Sequence, residues 1–276
     1  GKKFIKDEFG VKSKMLWLPD VFGYAASMPQ ILTKCGIDTF VTSKISWSEF
    51  NPMPHQTFNW RGIDGTEIFT QFIMGGYENE ALGNKDKWFQ TYTGQIYPNS
   101  LQYAWEHYND KNINNEIMST IGYGDGGGGV TEEMIQCYRR MKNGIPGTPT
   151  VNWTTAKEAV DNIKQNVKDE KLPVWSGELY LELHRGTYTS MAKNKKYNRK
   201  SELLLSSVET AAISAELLKG GTAGDFYKKD ELYSLWRTVL LNQFHDIIPG
   251  SSIEDVYKDS DKDYEKVLKN GGKLLD

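Results

Sequence analysis

Hydrophobic and polar positions fall into two textures along this chain. From about Ser13 to Arg185, short apolar runs of strand length alternate with stretches whose apolar residues recur at helical spacing. The strand-like runs are residues 15–18, 39–42, 116–122, 150–153 and 179–183. The helical stretches are 28–35, 99–108, 132–142 and 155–167, with Pro29 suitably placed in a first turn. Such alternation predicts parallel βαβ units with sites at the carboxyl ends of strands. One hairpin interrupts it, where residues 57–60 and 67–70 flank the turn Ile63-Asp64-Gly65. Beyond a basic, polar joint at 193–200 the texture becomes wholly helical. Ser201 is placed to cap a helix reaching Lys219, which Gly220 and Gly221 close. Leu232, Leu235, Trp236, Val239 and Leu240 form a second helical stripe, stopped by Pro249-Gly250. Ile253, Val256, Tyr257, Tyr264 and Leu268 form a third, after Ser252. The expectation is an α/β domain over residues 1–195, then a three-helix bundle over residues 196–276.

Composition narrows the class. The 276 residues hold 36 acids against 33 Lys and Arg, a net charge of −3 without the basic excess that nucleic acid or an anionic membrane requires. No apolar run approaches the ~18 residues that span a bilayer. Cys35 and Cys137 are too few for a disulfide framework and form no C-x-x-C pair, which leans toward a cytoplasmic setting. Residues 1–10 lack the apolar core of a secretory signal. The chain then opens almost at once on a strand, as an internal piece of a longer protein would.

Four segments offer chemistry. In Trp17-Leu18-Pro19-Asp20-Val21-Phe22-Gly23-Tyr24 a strand ends and delivers Asp20 into a loop, where α/β enzymes place catalytic carboxylates; an Asx turn or helix cap is the plainer reading. Gly122-Tyr123-Gly124-Asp125-Gly126-Gly127-Gly128-Gly129 comes after another strand-like run and lets backbone approach a ligand closely around Asp125. It lacks the context of a phosphate loop. The run from Gly177 to Ser190 leads through His184 and Tyr188 into a polar, aromatic loop that suits a ligand cleft or a solvated rim. The fourth segment, around Asn242-Gln243-Phe244-His245-Asp246, sets His245 at a helix end. There an imidazolium would be favoured by the helix dipole, and a neutral imidazole would serve as a zinc ligand. Local spacing of His55, His107, His184 and His245 indicates no metal site by itself.

Taken in order, WLPDVFGY, TSKISW, YGDGGGG, ELYLELHRGTYTS and NQFHDIIPGSS resemble the catalytic region of glycoside hydrolase family 38, the α-mannosidases. The resemblance touches the chain from about Lys14 to Ser252. It implies part of a seven-stranded α/β barrel-like catalytic domain followed by a three-helix bundle. The activity it implies is retaining, zinc-dependent hydrolysis of terminal α-mannosides in oligosaccharides or glycans, through a covalent glycosyl-enzyme. Asp20 then corresponds to the nucleophile and a Zn2+ ligand, His245 to another ligand, Asp125 to the general acid/base, and Asp246 to a residue binding sugar hydroxyls. Lys44 and Trp47 lie where the family contacts substrate, and Tyr188 lies in the matching loop. The family also draws a His and an Asp from an upstream H-x-D motif that does not occur here, so the expectation is an internal fragment carrying half of the metal site. A hydrolase of a phosphorylated mannosyl conjugate and a non-catalytic carbohydrate-binding protein are the alternatives. Neither a nucleic acid nor a membrane is expected as a partner, and a homo-oligomer remains open.

Overall fold

The computed structural model describes residues 1–78, 88–124, 127–167, 172–220 and 224–276. The chain forms two compact units, Gly1–Leu183 and His184–Asp276.

The first unit opens on α1 (Lys2–Phe9), which buries none of its residues and ends at Gly10 with φ 69°. The sequence predicts a strand first and no helix here, yet Phe4 and Phe9 meet edge-on with ring centroids 6.4 Å apart. Then come β1 (Met15–Trp17), β2 (Gly23–Tyr24), α2 (Met28–Lys34), β3 (Thr39–Thr42), β4 (Thr57–Arg61), β5 (Glu67–Phe72), β6 (Gly75–Glu78) and β7 (Trp88–Thr91). After them come α3 (Pro98–Glu106), α4 (Glu132–Met141), α5 (Ala156–Asn166), β8 (Val174–Ser176) and β9 (Leu179–Tyr180). The main sheet has the order β1-β3-β5-β4-β8. β1, β3 and β5 run parallel, with Leu16 beside Phe40 and Phe40 beside Thr70. β4 pairs antiparallel with β5 as the expected hairpin and parallel with β8. Two small antiparallel ladders, β2 with β9 and β6 with β7, complete the described strands.

β3 explains the layering. All four of its residues are buried, and successive side chains point to opposite faces. Phe40 joins Tyr24, Leu32, Phe58, Trp60 and Phe72 on one side. Val41 joins Phe69, Ile73, Val160 and Ile163 on the other. A sheet covered on both faces needs a continuous apolar run rather than an alternating one. α5 supplies the second cover, started by a capping box in which Thr155 and Glu158 each bond the other's backbone N–H.

Three strand expectations change. Residues 116–122 form no continuous ladder: Met118 accepts from the Met74 amide, while Thr120 and Gly122 bond Gly94. Their partners lie on two separate segments, so no regular strand forms. Residues 150–153 are held by a side chain, since the Trp153 amide donates to the Tyr138 hydroxyl at 3.3 Å. The run 179–183 is strand only at Leu179–Tyr180, because Glu182 begins a 3₁₀ segment, Glu182–Tyr188, kinked at His184.

The second unit contains α6 (Ala192–Lys219), α7 (Lys229–Asn242) and α8 (Glu254–Leu275). Leu205 and Val208 of α6, Leu232, Leu235 and Val239 of α7, and Val267 of α8 share one apolar seam. The polar stretch 193–200 is the beginning of α6 rather than a joint, and Ser201 is buried within the helix instead of capping it. The reason is a buried polar layer. Asn194 donates to Ser260 at 2.6 Å, and Gln243 donates to both Asn198 and Glu202 at 2.9 Å. Polar residues that bond each other inside a helical seam read, in sequence, like solvated linker. Gly220 closes α6 with φ 62°. No described helix is long and apolar enough to cross a membrane.

Glu182 ties the end of β9 to the segment after β3. Its Oε1 accepts the Phe50 amide at 2.8 Å and the Glu49 amide at 2.6 Å. The Phe50 amide foremost, with smaller help from the Ser48 hydroxyl and the Glu49 amide, holds this buried carboxyl at about 2 against an ordinary 4.5, although burial pushes the other way. A carboxyl depressed in the folded state stabilises fully above its unfolded value. That contribution is lost as pH falls from 4.5 toward 2. Glu182→Gln should therefore flatten the loss of stability across this interval. Urea midpoints of both proteins at about pH 5 and pH 3 measure it, and an equal fall in the two would remove Glu182 from the acid response.

Candidate active site

β1 ends at Trp17, and the next residues form a loop fastened almost wholly through backbone. The Leu18 amide donates to the Val41 carbonyl at 3.0 Å, continuing the parallel ladder for one more residue. The Pro19 carbonyl accepts two amides from the segment after β3, Ser43 at 3.2 Å and Lys44 at 2.9 Å. Asp20 comes next and is half-buried. Its Oδ1 lies 2.8 Å from the Lys44 ammonium, with only 11% and 15% of the Lys44 and Asp20 side chains exposed. Lys44 thus holds adjacent residues of the loop twice, by backbone and by charge. An ion pair shielded to this degree is screened far less than a surface pair.

Aromatic rings wall this pair. The Lys44 ammonium lies 3.8 Å from the Trp47 ring centroid and 5.7 Å from that of Phe22. Trp47 belongs to a 3₁₀ turn, Lys44–Trp47, and its indole N–H donates to the Gln90 carbonyl at 2.8 Å, which fixes the ring's orientation. Asp20, Lys44 and Trp47, singled out from sequence, therefore come together. Phe22, the second ring, comes from the same loop as Asp20.

The glycine-rich segment is seen on both sides of Asp125, which itself lies outside the described residues. Gly122, with φ 127°, donates to the Gly94 carbonyl, and Tyr123 donates to that of Gly129. A Cβ on Gly122 would approach the Gly129 backbone at 3.2 Å, so the loop closes on itself where only glycine fits.

In the second unit, α7 ends at Asn242, and His245 and Asp246 sit in the turn beyond it. The two side chains are close, with His245 Nε2 3.6 Å from Asp246 Oδ2. Asp246 is held through both side chain and backbone. Ser251 donates to its Oδ1 at 2.8 Å, and Ser252 donates to its carbonyl at 2.7 Å. Tyr257 closes the turn by donating toward the Asp246 and Ile247 carbonyls and accepting the Ser252 amide. Gly250 has φ 90° and passes so near Ser190 that a Cβ would lie 2.6 Å from the Ser190 Cβ. Here Pro249-Gly250 shapes the His-Asp turn rather than ending the helix. Tyr188, at the end of the 3₁₀ segment, is 63% exposed.

Sequence reasoning passed over two buried hydroxyls under the Asp20 loop, Tyr24 and Thr42. The Tyr24 hydroxyl donates to the Leu18 carbonyl at 2.6 Å and lies 2.9 Å from Thr42 Oγ1. Burial pushes the Tyr24 phenol well above its ordinary value, a push that the Thr42 hydrogen bond opposes and the Asp20 charge reinforces. The available signal was a tyrosine inside a core-facing apolar run, whose hydroxyl needs a partner.

Residues 1–178 match the glycosyl hydrolases family 38 N-terminal domain, and residues 182–276 match the alpha mannosidase middle domain. The chain is 41% identical over 266 residues to an alpha-mannosidase of Saccharomyces cerevisiae, covering 94% of this chain and 23% of that protein. It is 36% identical over 275 residues to alpha-mannosidase 2C1 of Homo sapiens, covering 100% and 24%. Alpha-mannosidase G of Dictyostelium discoideum is 38% identical over 268 residues, covering 97% and 23%. The chain thus spans about a quarter of the length of these relatives. The crystal structure of an alpha-mannosidase from Enterococcus faecalis V583 superposes with a TM-score of 0.69 at 17% identity, covering 99% of this chain and 30% of that one, a likeness of fold. The family 38 model covers well over half of the chain, and the chain belongs to glycosyl hydrolase family 38.

Proposed function

We propose that this chain is part of the catalytic region of a retaining α-mannosidase that hydrolyses terminal α-mannosides of oligosaccharides or glycans. The observation that carries the reading is Asp20, presented just past the carboxyl end of β1 with its Oδ1 on the Lys44 ammonium and aromatic rings beside it. In this reading the five-stranded sheet is part of a seven-stranded barrel-like domain. The helices form a three-helix bundle domain, which begins with α6 at Ala192 rather than at residue 196. A cytoplasmic setting belongs to the same reading, supported by two free cysteines.

The chemistry assigns Asp20 as nucleophile. Its carboxylate attacks the anomeric carbon while Asp125 gives a proton to the departing glycosidic oxygen. Lys44 compensates the Asp20 charge and keeps that carboxylate oriented, and the Trp47 face excludes water beside it. After the sugar ester forms on Asp20, Asp125 takes a proton from water, which attacks the same carbon and releases mannose with net retention. Asp246, Lys44, Trp47 and Tyr188 are the proposed contacts to sugar hydroxyls and ring faces. The donor chemistry of Asp20 and His245, a carboxylate and an imidazole, fits Zn2+. Zinc, when bound, would hold mannose-ring hydroxyls and so orient and distort the ring.

Three experiments on the full-length protein test these roles. Asp20→Asn should abolish turnover, and a fluorinated mannoside should form a covalent adduct at Asp20, located by peptide mass spectrometry; an adduct on another carboxylate would reassign the nucleophile. Asp125→Ala should slow mannosides with poor leaving groups far more than aryl mannosides with good ones, and azide should restore part of the second step. Equal loss on both substrates, without azide rescue, speaks against the acid/base role. His245→Ala should lower bound zinc well below one equivalent by elemental analysis while the circular dichroism of the fold is retained. Stoichiometric zinc in that variant would take His245 out of the ligand set.

A further inference from the structure

The loop that delivers Asp20 has an unusual limitation. Pro19 has no amide hydrogen, so the Leu18–Pro19 peptide can be anchored by hydrogen bonding only through the Leu18 carbonyl. The described contacts hold the loop from two sides. From the β3 side, the Ser43 and Lys44 amides take the Pro19 carbonyl. From beneath, the Tyr24 hydroxyl takes the Leu18 carbonyl at 2.6 Å. A phenol has one proton. With that proton on Leu18, the 2.9 Å contact to Thr42 is a bond in which the Thr42 hydroxyl donates to the phenol oxygen. The chain of donors therefore has one direction, from Thr42 through Tyr24 to Leu18.

Both hydroxyl residues are rigidly held. Tyr24 is 6% exposed, packs edge-on against Phe40 with centroids 4.9 Å apart, and its backbone pairs with Leu179 of β9. Thr42 is fully buried at the end of β3, where its carbonyl accepts the Ile73 amide. Tyr24 also closes the segment that contains Asp20, bridging the loop from its end back to its start. We infer that Tyr24 and Thr42 are positioning residues for the reaction, a directed hydroxyl pair that sets the Asp20 carboxylate by clamping the Leu18 carbonyl. The inference rests on the reading of Asp20 as nucleophile. In this inference the hydroxyl pair acts on Asp20 through the loop and not by contact with substrate.

The test uses the full-length protein with turnover expressed per active site, titrated with the fluorinated mannoside. Tyr24→Phe keeps the packed ring and removes the hydroxyl; kcat per titrated site should fall about tenfold, with KM within about twofold of the parent. Thr42→Val should fall several-fold, and Thr42→Ser, which keeps the donor, should match the parent. A purely structural role would lower the melting temperature and the fraction of titratable sites while leaving kcat per site unchanged. That result in Tyr24→Phe overturns the inference. Should Tyr24→Phe not fold, equal kcat per site in Thr42→Val and Thr42→Ser overturns it too. Unimpaired turnover in Asp20→Asn would instead bring down the nucleophile reading beneath it, an outcome distinct from the other two.

Discussion

Two carbonyl oxygens, those of Leu18 and Pro19, are the points on which the first unit's candidate chemistry depends. The sheet ladder ends with the Leu18 amide, and proline cannot extend it. These oxygens instead receive the Ser43 and Lys44 amides, from the segment just after β3, and the Tyr24 hydroxyl. Lys44 adds the second hold, since the residue that binds the Pro19 oxygen by its amide also meets the Asp20 carboxylate by its ammonium. The hold on Asp20 therefore comes from β3, which accepts the Leu18 amide at Val41, from the residues directly after it, and from the Tyr24 hydroxyl beneath the loop.

The second unit solves a different problem. Its helices share an apolar seam but also bury Asn194, Asn198 and Ser260. A buried polar group without a partner costs on the order of 1–3 kcal/mol, so these side chains must find one another. They do so through bonds that join α6 to α8 and to the end of α7, including the Tyr264 hydroxyl to Asn198 at 3.3 Å. Such bonds define helix register more sharply than leucine contacts do. They also bear on the turn after α7, since Gln243, two residues before His245, is one of the donors.

Much of this was readable in the residues. Four helices of the first unit, the β4–β5 hairpin and β3 arise from apolar spacing, caps and turn residues, all local in sequence. The order of the motifs identified the family resemblance and directed attention to Asp20, Lys44, Trp47, His245 and Asp246. Other features were not readable. A polar stretch inside α6 looks like a linker until its bonding partners some 45 to 66 residues away are known. Residues 116–122 look like a strand, yet whether an extended run joins a ladder depends on which neighbour presents its backbone.

The sequence by itself determined where the chain could form helices and strands, and which carboxylates and imidazoles were available, because these are properties of residue type and spacing. Only the tertiary structure decided that Lys44 meets Asp20 and that Tyr24 and Thr42 support Leu18. Those contacts join residues 6 to 24 positions apart, within the loop after β1 and across the connection through α2 to β3. The parallel register of β1 and β3, with Leu16 beside Phe40 and Trp17 beside Val41, aligns them, and the local pattern of either strand does not say which strand it will pair with.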